Sequence, residues 1–235
     1  RMEGVHQIFT GGGPVLPQLL DTLCIVAPHA QIEAVYGSTE AEPIAHLPAA
    51  DIDAADRRAM VQGAGLLAGR PVEAVDIRIL PDRWGTPIEP LNRAAFEADC
   101  LSSGEIGEIV VHGAHVLPGY LHGKGDAETK FNVDGQIWHR TGDAGVFDGK
   151  GRLWLMGRCQ AKVVDDNGLL YPFAVEVAAQ QHQAVRRAAL VQDGGKRVLL
   201  VEFKQGRPVE AIRTMLQWAQ LDSVQAIKRI PVDRR

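Results

Sequence analysis

The fold turns on the stretch AVYGSTEAEPIA, Ala34 to Ala45. An apolar pair runs into Tyr36 and Gly37, and three polar side chains follow, Ser38, Thr39 and Glu40. Glycine lets a backbone turn sharply and come close to a ligand. A threonine hydroxyl donates to a phosphate oxygen. A carboxylate beside it suits Mg²⁺, a hard cation that takes a few carboxylates together with phosphate oxygens. Tyr36 offers a flat face on which a base can stack. Taken alone, YGSTE reads equally as a polar loop after a strand, with Tyr36 in the core.

Working outward, VHQIF reads as a short strand and TGGGP as a turn. Pro17 then stands where a helix begins, with Leu19, Leu20, Leu23 and Val26 at helical spacing. A second strand around IEAVY ends at Gly37. Strand, glycine turn, helix, strand is an α/β unit. Downstream, VDIRIL, GEIGEIVVHG, QIWHRTGDAGVFD and GRLWLMG are short strands punctuated by Gly, Asp and Pro, with one short helix around DAETKF. That texture predicts an antiparallel barrel or meander. After Arg158 it changes again. AKVVDDNGLLYPF resembles a hairpin, AVEVAAQQHQ a helix, RAALVQD and KRVLLVEF paired strands, and PVEAIRTMLQWAQ an amphipathic helix. The expected organisation is a first domain over residues 1–159, a hinge near residues 158 to 161, and a small α+β unit over 160–235.

Composition is that of a globular chain, with 46% hydrophobic and 23% charged residues. The 25 basic and 29 acidic residues give a net charge of -4, which argues against a nucleic-acid partner. The densest basic cluster, IKRIPVDRR, is short and reads as a solvated tail. Cys24, Cys100 and Cys159 are scattered and odd in number, so they form neither a disulfide framework nor a metal pattern. A reducing, cytoplasmic compartment fits best. No apolar run reaches the roughly 20 residues that span a bilayer, and no signal peptide opens the chain. The first residues pass straight into a strand pattern, as a start inside a fold would.

Three further elements carry chemistry. In WHRTGDAGVF, Asp143 follows a Thr-Gly turn, and one carboxylate can accept from both hydroxyls of a ribose. In GRLWLMGRCQAKV, Arg158 follows Gly157 at a strand end, where a guanidinium can reach a ribose oxygen or a phosphate. In TGGGPV, Gly11, Gly12 and Gly13 expose backbone N–H groups and leave room for a flat ligand, without the GK[ST] of a P-loop or a GxGxxG pattern. Each alone also fits a turn, an exposed arginine or a loop. His139 precedes TGD and falls near that turn, while His112 and His115 need not share a face.

The order of these elements, a glycine turn, YGSTE, GEIGEIVVHG with PGYL, TGD and then GR, resembles the AMP-forming acyl-activating superfamily. That superfamily holds acyl-CoA synthetases, firefly luciferase and the adenylation domains of peptide synthetases. The resemblance runs from Gly11 to Arg235. It implies the second half of a large adenylating domain, an α/β unit plus a distorted antiparallel β-barrel, followed by a small α+β lid. It further implies ATP-dependent activation of a fatty or aromatic carboxylic acid as acyl-AMP, then transfer to CoA. By resemblance, Thr39 contacts the α-phosphate, Glu40 holds Mg²⁺, Tyr36 packs on adenine beside Gly37, and Asp143 and Arg158 bind ribose. Gly11 to Gly13 would lie along the adenine and acyl group.

The chain also departs from that family. The phosphate loop with its lysine, which precedes YGxTE in the family, is absent, and the sequence ends at Arg235 before the expected catalytic lysine. The chain as it stands is therefore expected to be inactive in adenylation. Gln160 occupies a hinge position that carries Asp or Lys in the family, and the following loop reads DDNG, Asp165 to Gly168. GRCQAKVVDDNGLLYPFAVE is similar to the β-lactone synthetases of bacterial olefin synthesis, in which the hydroxyl of a β-hydroxy acyl-adenylate displaces AMP.

Overall fold

The computed structural model describes residues 2–231; the last four residues of the basic terminal cluster lie outside them. The chain divides into two compact units. One takes the chain up to Asp53 together with Leu67–Leu155, and the other takes Ala54–Leu66 and the chain from Met156 onward. The grouping of residues 54–66 with the later segment was not anticipated from sequence.

In the first unit, β1 (Gln7–Thr10) leads through the glycine turn into α1 (Pro17–Val26), which has proline at its start and buries Leu20. β2 (Gln31–Ser38) returns parallel to β1, with Phe9 opposite Glu33 and Thr10 opposite Ala34. β3 (Ala41–Pro48) turns back antiparallel to β2. α2 (Ala54–Val61) lies in the segment that groups with the second unit, and the first unit resumes through β4 (Leu66–Pro71) and β5 (Val75–Leu80), then α3 (Arg93–Asp99). Asn92 caps α3 by accepting from the amide of Ala95 at 2.9 Å. β6 (Gly107–Gly113), α4 (Asp126–Thr129), β7 (Lys130–Val133), β8 (Gln136–Phe147) and β9 (Leu153–Arg158) follow. Nine strands form one sheet in the order β1-β2-β3-β4-β9-β8-β6-β5, with β7 pairing to β8.

Alternation explains why the centre of β6, Ile109 to Val111, is an unbroken apolar run. Ile109 and Val111 point into a core with Ile77, Ile79, Ala45 and Leu153, while Val110 points into a second core with Leu80, Phe96, Phe131 and Trp138. A strand covered on both faces shows an unbroken hydrophobic run. Burying a side chain of the Ile or Phe class contributes roughly 1.5–3 kcal/mol each, so β6 is the strand that ties the two cores together.

The second unit is built on β10 (Val163–Asp165), β11 (Gly168–Leu170), α5 (Pro172–Gln180), β12 (Val185–Asp193), β13 (Lys196–Phe203), α6 (Val209–Met215) and β14 (Ser223–Ile227). β10 and β11 form the expected hairpin, and β12 and β13 the expected antiparallel pair. β14 adds a parallel partner to β13. Val175, Ala178 and Ala179 of α5 and Ile212 of α6 pack on Val185, Leu190, Leu199 and Val201. Arg197 is the polar pin of this unit. Its guanidinium grips Asp165 through two 2.7 Å bonds and also donates to the carbonyls of Ala219 and Gly168, both at 2.9 Å. The DDNG loop is thereby fixed at both ends, with the Arg197 guanidinium holding the Asp165 carboxyl below its ordinary pKa.

Candidate active site

The YGSTE stretch is the tip of a hairpin. Ser38 pairs with Ala41, leaving Thr39 and Glu40 as the two turn residues. The strand therefore runs one residue beyond its expected end at Gly37. Between Tyr36 and Ser38 the register shifts, because β3 bulges there. A Cβ on Gly37 would meet the Ala41 carbonyl oxygen at 2.9 Å and Glu42 Cα at 3.1 Å, so the bulge closes only over glycine. Gly11 is used in the same way. A Cβ there would lie 2.7 Å from the Val35 carbonyl oxygen, so the glycine turn runs directly on β2, beside the residue before Tyr36. Gly12 has φ of 74°, in the left-handed region, and Gly12 and Gly13 both face open space.

Tyr36 is half-buried against the core, and its hydroxyl donates to Asp143 Oδ2 at 2.9 Å, joining residues 107 apart in sequence. Asp143 is positioned by its own strand. The Thr141 hydroxyl donates to the Ile109 carbonyl at 2.9 Å and accepts from the Asp143 amide at 3.0 Å. One residue earlier, Arg140 Nη2 meets Glu108 Oε2 at 2.6 Å, with both side chains 1% exposed. Burial pushes the Glu108 carboxyl up, against the pull of Arg140. Trp84 lies over the Arg140 guanidinium at 5.2 Å and against Gly142, whose φ is 69°.

Glu40 is held from a distant segment. The Tyr120 hydroxyl donates to Glu40 Oε1 at 2.7 Å, and the Leu117 amide donates to the Glu40 carbonyl at 2.7 Å. Burial raises the Glu40 pKa, but hydrogen bonds from Tyr120, its own amide and Ser38 outweigh it, and the carboxyl lies below its ordinary value. Burial and the Glu40 carboxylate push the Tyr120 phenol up to about 12. Burial, with the Lys130 ammonium nearby, brings His139 down to about 4, so its imidazole is neutral at pH 7. Neutral His139 donates from Nδ1 to the Thr129 carbonyl at 3.1 Å.

Thr39, Glu40, Tyr36, Gly37, Asp143 and Gly11 to Gly13 thus stand in one unit, where Tyr36 bonds to Asp143 and Tyr120 to Glu40. Arg158 closes β9 in the second unit, exposed, after a Gly157 packed under Phe173. Sequence reading gave no role to Tyr120, Lys130, Trp84 or the Arg140–Glu108 pair. The signals were present but faint: a charged residue at a buried strand position for Lys130, and an aromatic inside a loop for Trp84. Among the described residues no group of three or more His, Cys, Asp or Glu side chains could hold a metal unaided. No helix among them is long and apolar enough to cross a membrane.

A family model described as AMP-binding enzyme matches residues 1–121, just over half of the chain. The chain belongs to the AMP-binding enzyme family. Among curated AMP-binding relatives, olefin beta-lactone synthetase of Xanthomonas campestris is 34% identical over 225 residues, covering 87% of this chain and 38% of that protein. The 2-succinylbenzoate--CoA ligase of Arabidopsis thaliana is 25% identical, over 80% of this chain and 32% of that protein. The chain spans well under half the length of these relatives. Among solved structures, O-succinylbenzoate coenzyme A synthetase from Bacillus subtilis in complex with AMP aligns over 97% of this chain and 43% of that chain, with TM-score 0.69 and 22% identity. An amide bond synthetase from Marinactinospora thermotolerans aligns over 97% of this chain and 43% of that chain, with TM-score 0.72 and 24% identity. Both structural likenesses speak for the shared fold.

Proposed function

We propose that the full-length protein activates a carboxylic acid as acyl-AMP with release of pyrophosphate. The observation that carries this reading is the Tyr36 to Asp143 contact at 2.9 Å, which sets the YGSTE hairpin against the TGD strand. In the proposed site Asp143 accepts from the ribose hydroxyls, Tyr36 and Gly37 line the adenine together with Gly11 to Gly13, and Thr39 donates to the α-phosphate. Arg158 adds a second ribose contact from the hinge between residues 1–159 and a lid over 160–235. The acid's carboxylate oxygen attacks the α-phosphorus, forming the C–O–P link as the bond to the pyrophosphate oxygen breaks. The chain's part is alignment and placement of charge. Glu40, ionised and aimed by Tyr120, fits the single-carboxylate share of a Mg²⁺ site completed by phosphate oxygens. Bound there, Mg²⁺ would neutralise charge on the phosphates.

The acyl group then passes to CoA or to a hydroxyl of the acid itself. The match to olefin beta-lactone synthetase, 34% over 225 residues, is longer than the 31–33% matches to CoA-forming relatives over 188 and 123 residues, and this favours the internal hydroxyl of a β-hydroxy acid. ATP–pyrophosphate exchange in the full-length protein tests the first step: Asp143→Ala and Glu40→Ala each abolish it, and near-normal exchange in both sinks the assignment. Mass spectrometry of products from a long-chain β-hydroxy acid, with and without CoA, decides the second.

A further inference from the structure

A hairpin-tip carboxylate is poorly suited to hold a cation unless something fixes its direction, because turn residues are the least restrained part of a hairpin. Glu40 is such a residue, and it is restrained on both main chain and side chain by one segment, Leu117 to Tyr120. That segment is itself strapped down. The Tyr120 amide donates to Asp126 Oδ1 at 2.8 Å, and Gly119 lies so close to Asp126 that a Cβ would meet its Oδ2 at 3.0 Å. The Lys130 ammonium donates to the Leu117 carbonyl and sits 5.4 Å from the centre of the Tyr120 ring. Lys130 is only 9% exposed, although a lysine is seldom buried. Two routes therefore lead from Lys130 to Glu40, one through the Leu117 backbone and one through the Tyr120 ring.

We infer that Tyr120 and Lys130 are positioning residues that aim the Glu40 carboxylate at the metal accompanying the nucleotide. The inference rests on the adenylation reading above. Tyr120 acts directly, by its phenolic hydrogen bond. Lys130 acts one step further out, by seating the ring face and the carbonyl of the strap. Partners of a ligating carboxylate commonly change metal affinity when they are removed.

The test uses the full-length protein and four proteins: wild type, Tyr120→Phe, Lys130→Met and Lys130→Arg. Mn²⁺ bound in the presence of ATP is read by electron paramagnetic resonance, and adenosine binding by calorimetry. Tyr120→Phe keeps the ring and removes only the donor, so it weakens Mn²⁺ capture about tenfold or more while adenosine affinity stays that of wild type. Lys130→Met shows the same split. Lys130→Arg recovers most of the loss, because a guanidinium also seats over an aromatic face. Wild-type Mn²⁺ affinity in a folded Tyr120→Phe protein overturns the inference. If wild type binds neither adenosine nor Mn²⁺ with ATP, the adenylation reading falls, and the inference falls with it. If adenosine binds but Tyr120→Phe and Lys130→Met leave Mn²⁺ unchanged, only the inference falls.

Discussion

Arg140→Leu is the most informative single change to stability. The guanidinium makes three contacts with the Glu108 carboxylate, at 3.1, 3.1 and 2.6 Å, and a fourth bond to the Thr86 carbonyl at 2.7 Å. Two unit charges about 4 Å apart attract by about 4 kcal/mol at an effective dielectric of about 20. Removing one partner of a buried pair costs about 3–5 kcal/mol, because the other charge stays buried and unmatched. The sign with pH follows from Glu108. Burial already raises its folded pKa, and Arg140 is what opposes that rise. Without Arg140 the folded pKa climbs further above the unfolded value. The deficit is then full above the folded pKa and shrinks as pH falls through it, by about 1.4 kcal/mol per unit. Thermal unfolding at about pH 7.5 and about pH 5 reads both effects; at the higher pH a drop of about 10 °C is expected for a unit of this size. The double variant Glu108→Leu with Arg140→Leu should lose less than Arg140→Leu alone. A loss under about 1 kcal/mol at the higher pH, or an equal loss at both, refutes the reasoning.

Gly142→Ala puts a methyl carbon 2.9 Å from the Trp84 ring at φ of 69°, and should cost about 1–3 kcal/mol in urea unfolding and weaken adenosine binding through Asp143. Asp148 is buried enough to raise its pKa, yet bonds from Trp154 Nε1, the Arg152 amide and guanidinium, and the Lys150 amide bring it to about 2. Its contribution is present above the unfolded value near 4 and lost as pH falls toward 2; with solvent screening, Asp148→Asn should cost about 1 kcal/mol at neutral pH and almost nothing in strong acid, by denaturant titration across that range. Arg197→Met strips Asp165, Gly168 and Ala219 of a shared donor, and should lower the thermal midpoint of the second unit while hydrogen exchange in β1 to β3 stays unchanged.

Strands bounded by glycine and proline were legible from local pattern. Val75, Ile77 and Ile79 alternate, and the DDNG turn separates two apolar runs; both produced the expected elements. β3 was not seen because Pro43 and Pro48 interrupt it, and proline within an apolar run argues against a strand. α3 has only seven residues, too few for periodicity to speak, and the capping role of Asn92 at its start was not read from the sequence. The YGSTE and TGD motifs were legible as candidates, and the family resemblance put them around one nucleotide, but the direct contact between Tyr36 and Asp143 was not legible from local pattern. Tyr36 and Asp143 are 107 residues apart, Tyr120 and Glu40 are 80 apart, and no local period encodes either pairing. Such contacts follow from the order of strands in the sheet.

The hairpin tip has a consequence for how this sequence can change length. Thr39 and Glu40 are the whole of the connection between Ser38 and Ala41, and Gly37 beside them is packed against the opposite backbone. Surface loops usually absorb insertions and deletions, but side chains on a strand alternate, and one added residue here would turn Glu40 away from Tyr120 or unseat the bulge. Length variation along β2 and β3 is therefore confined to the ends far from this turn, whatever drift the side chains around it undergo.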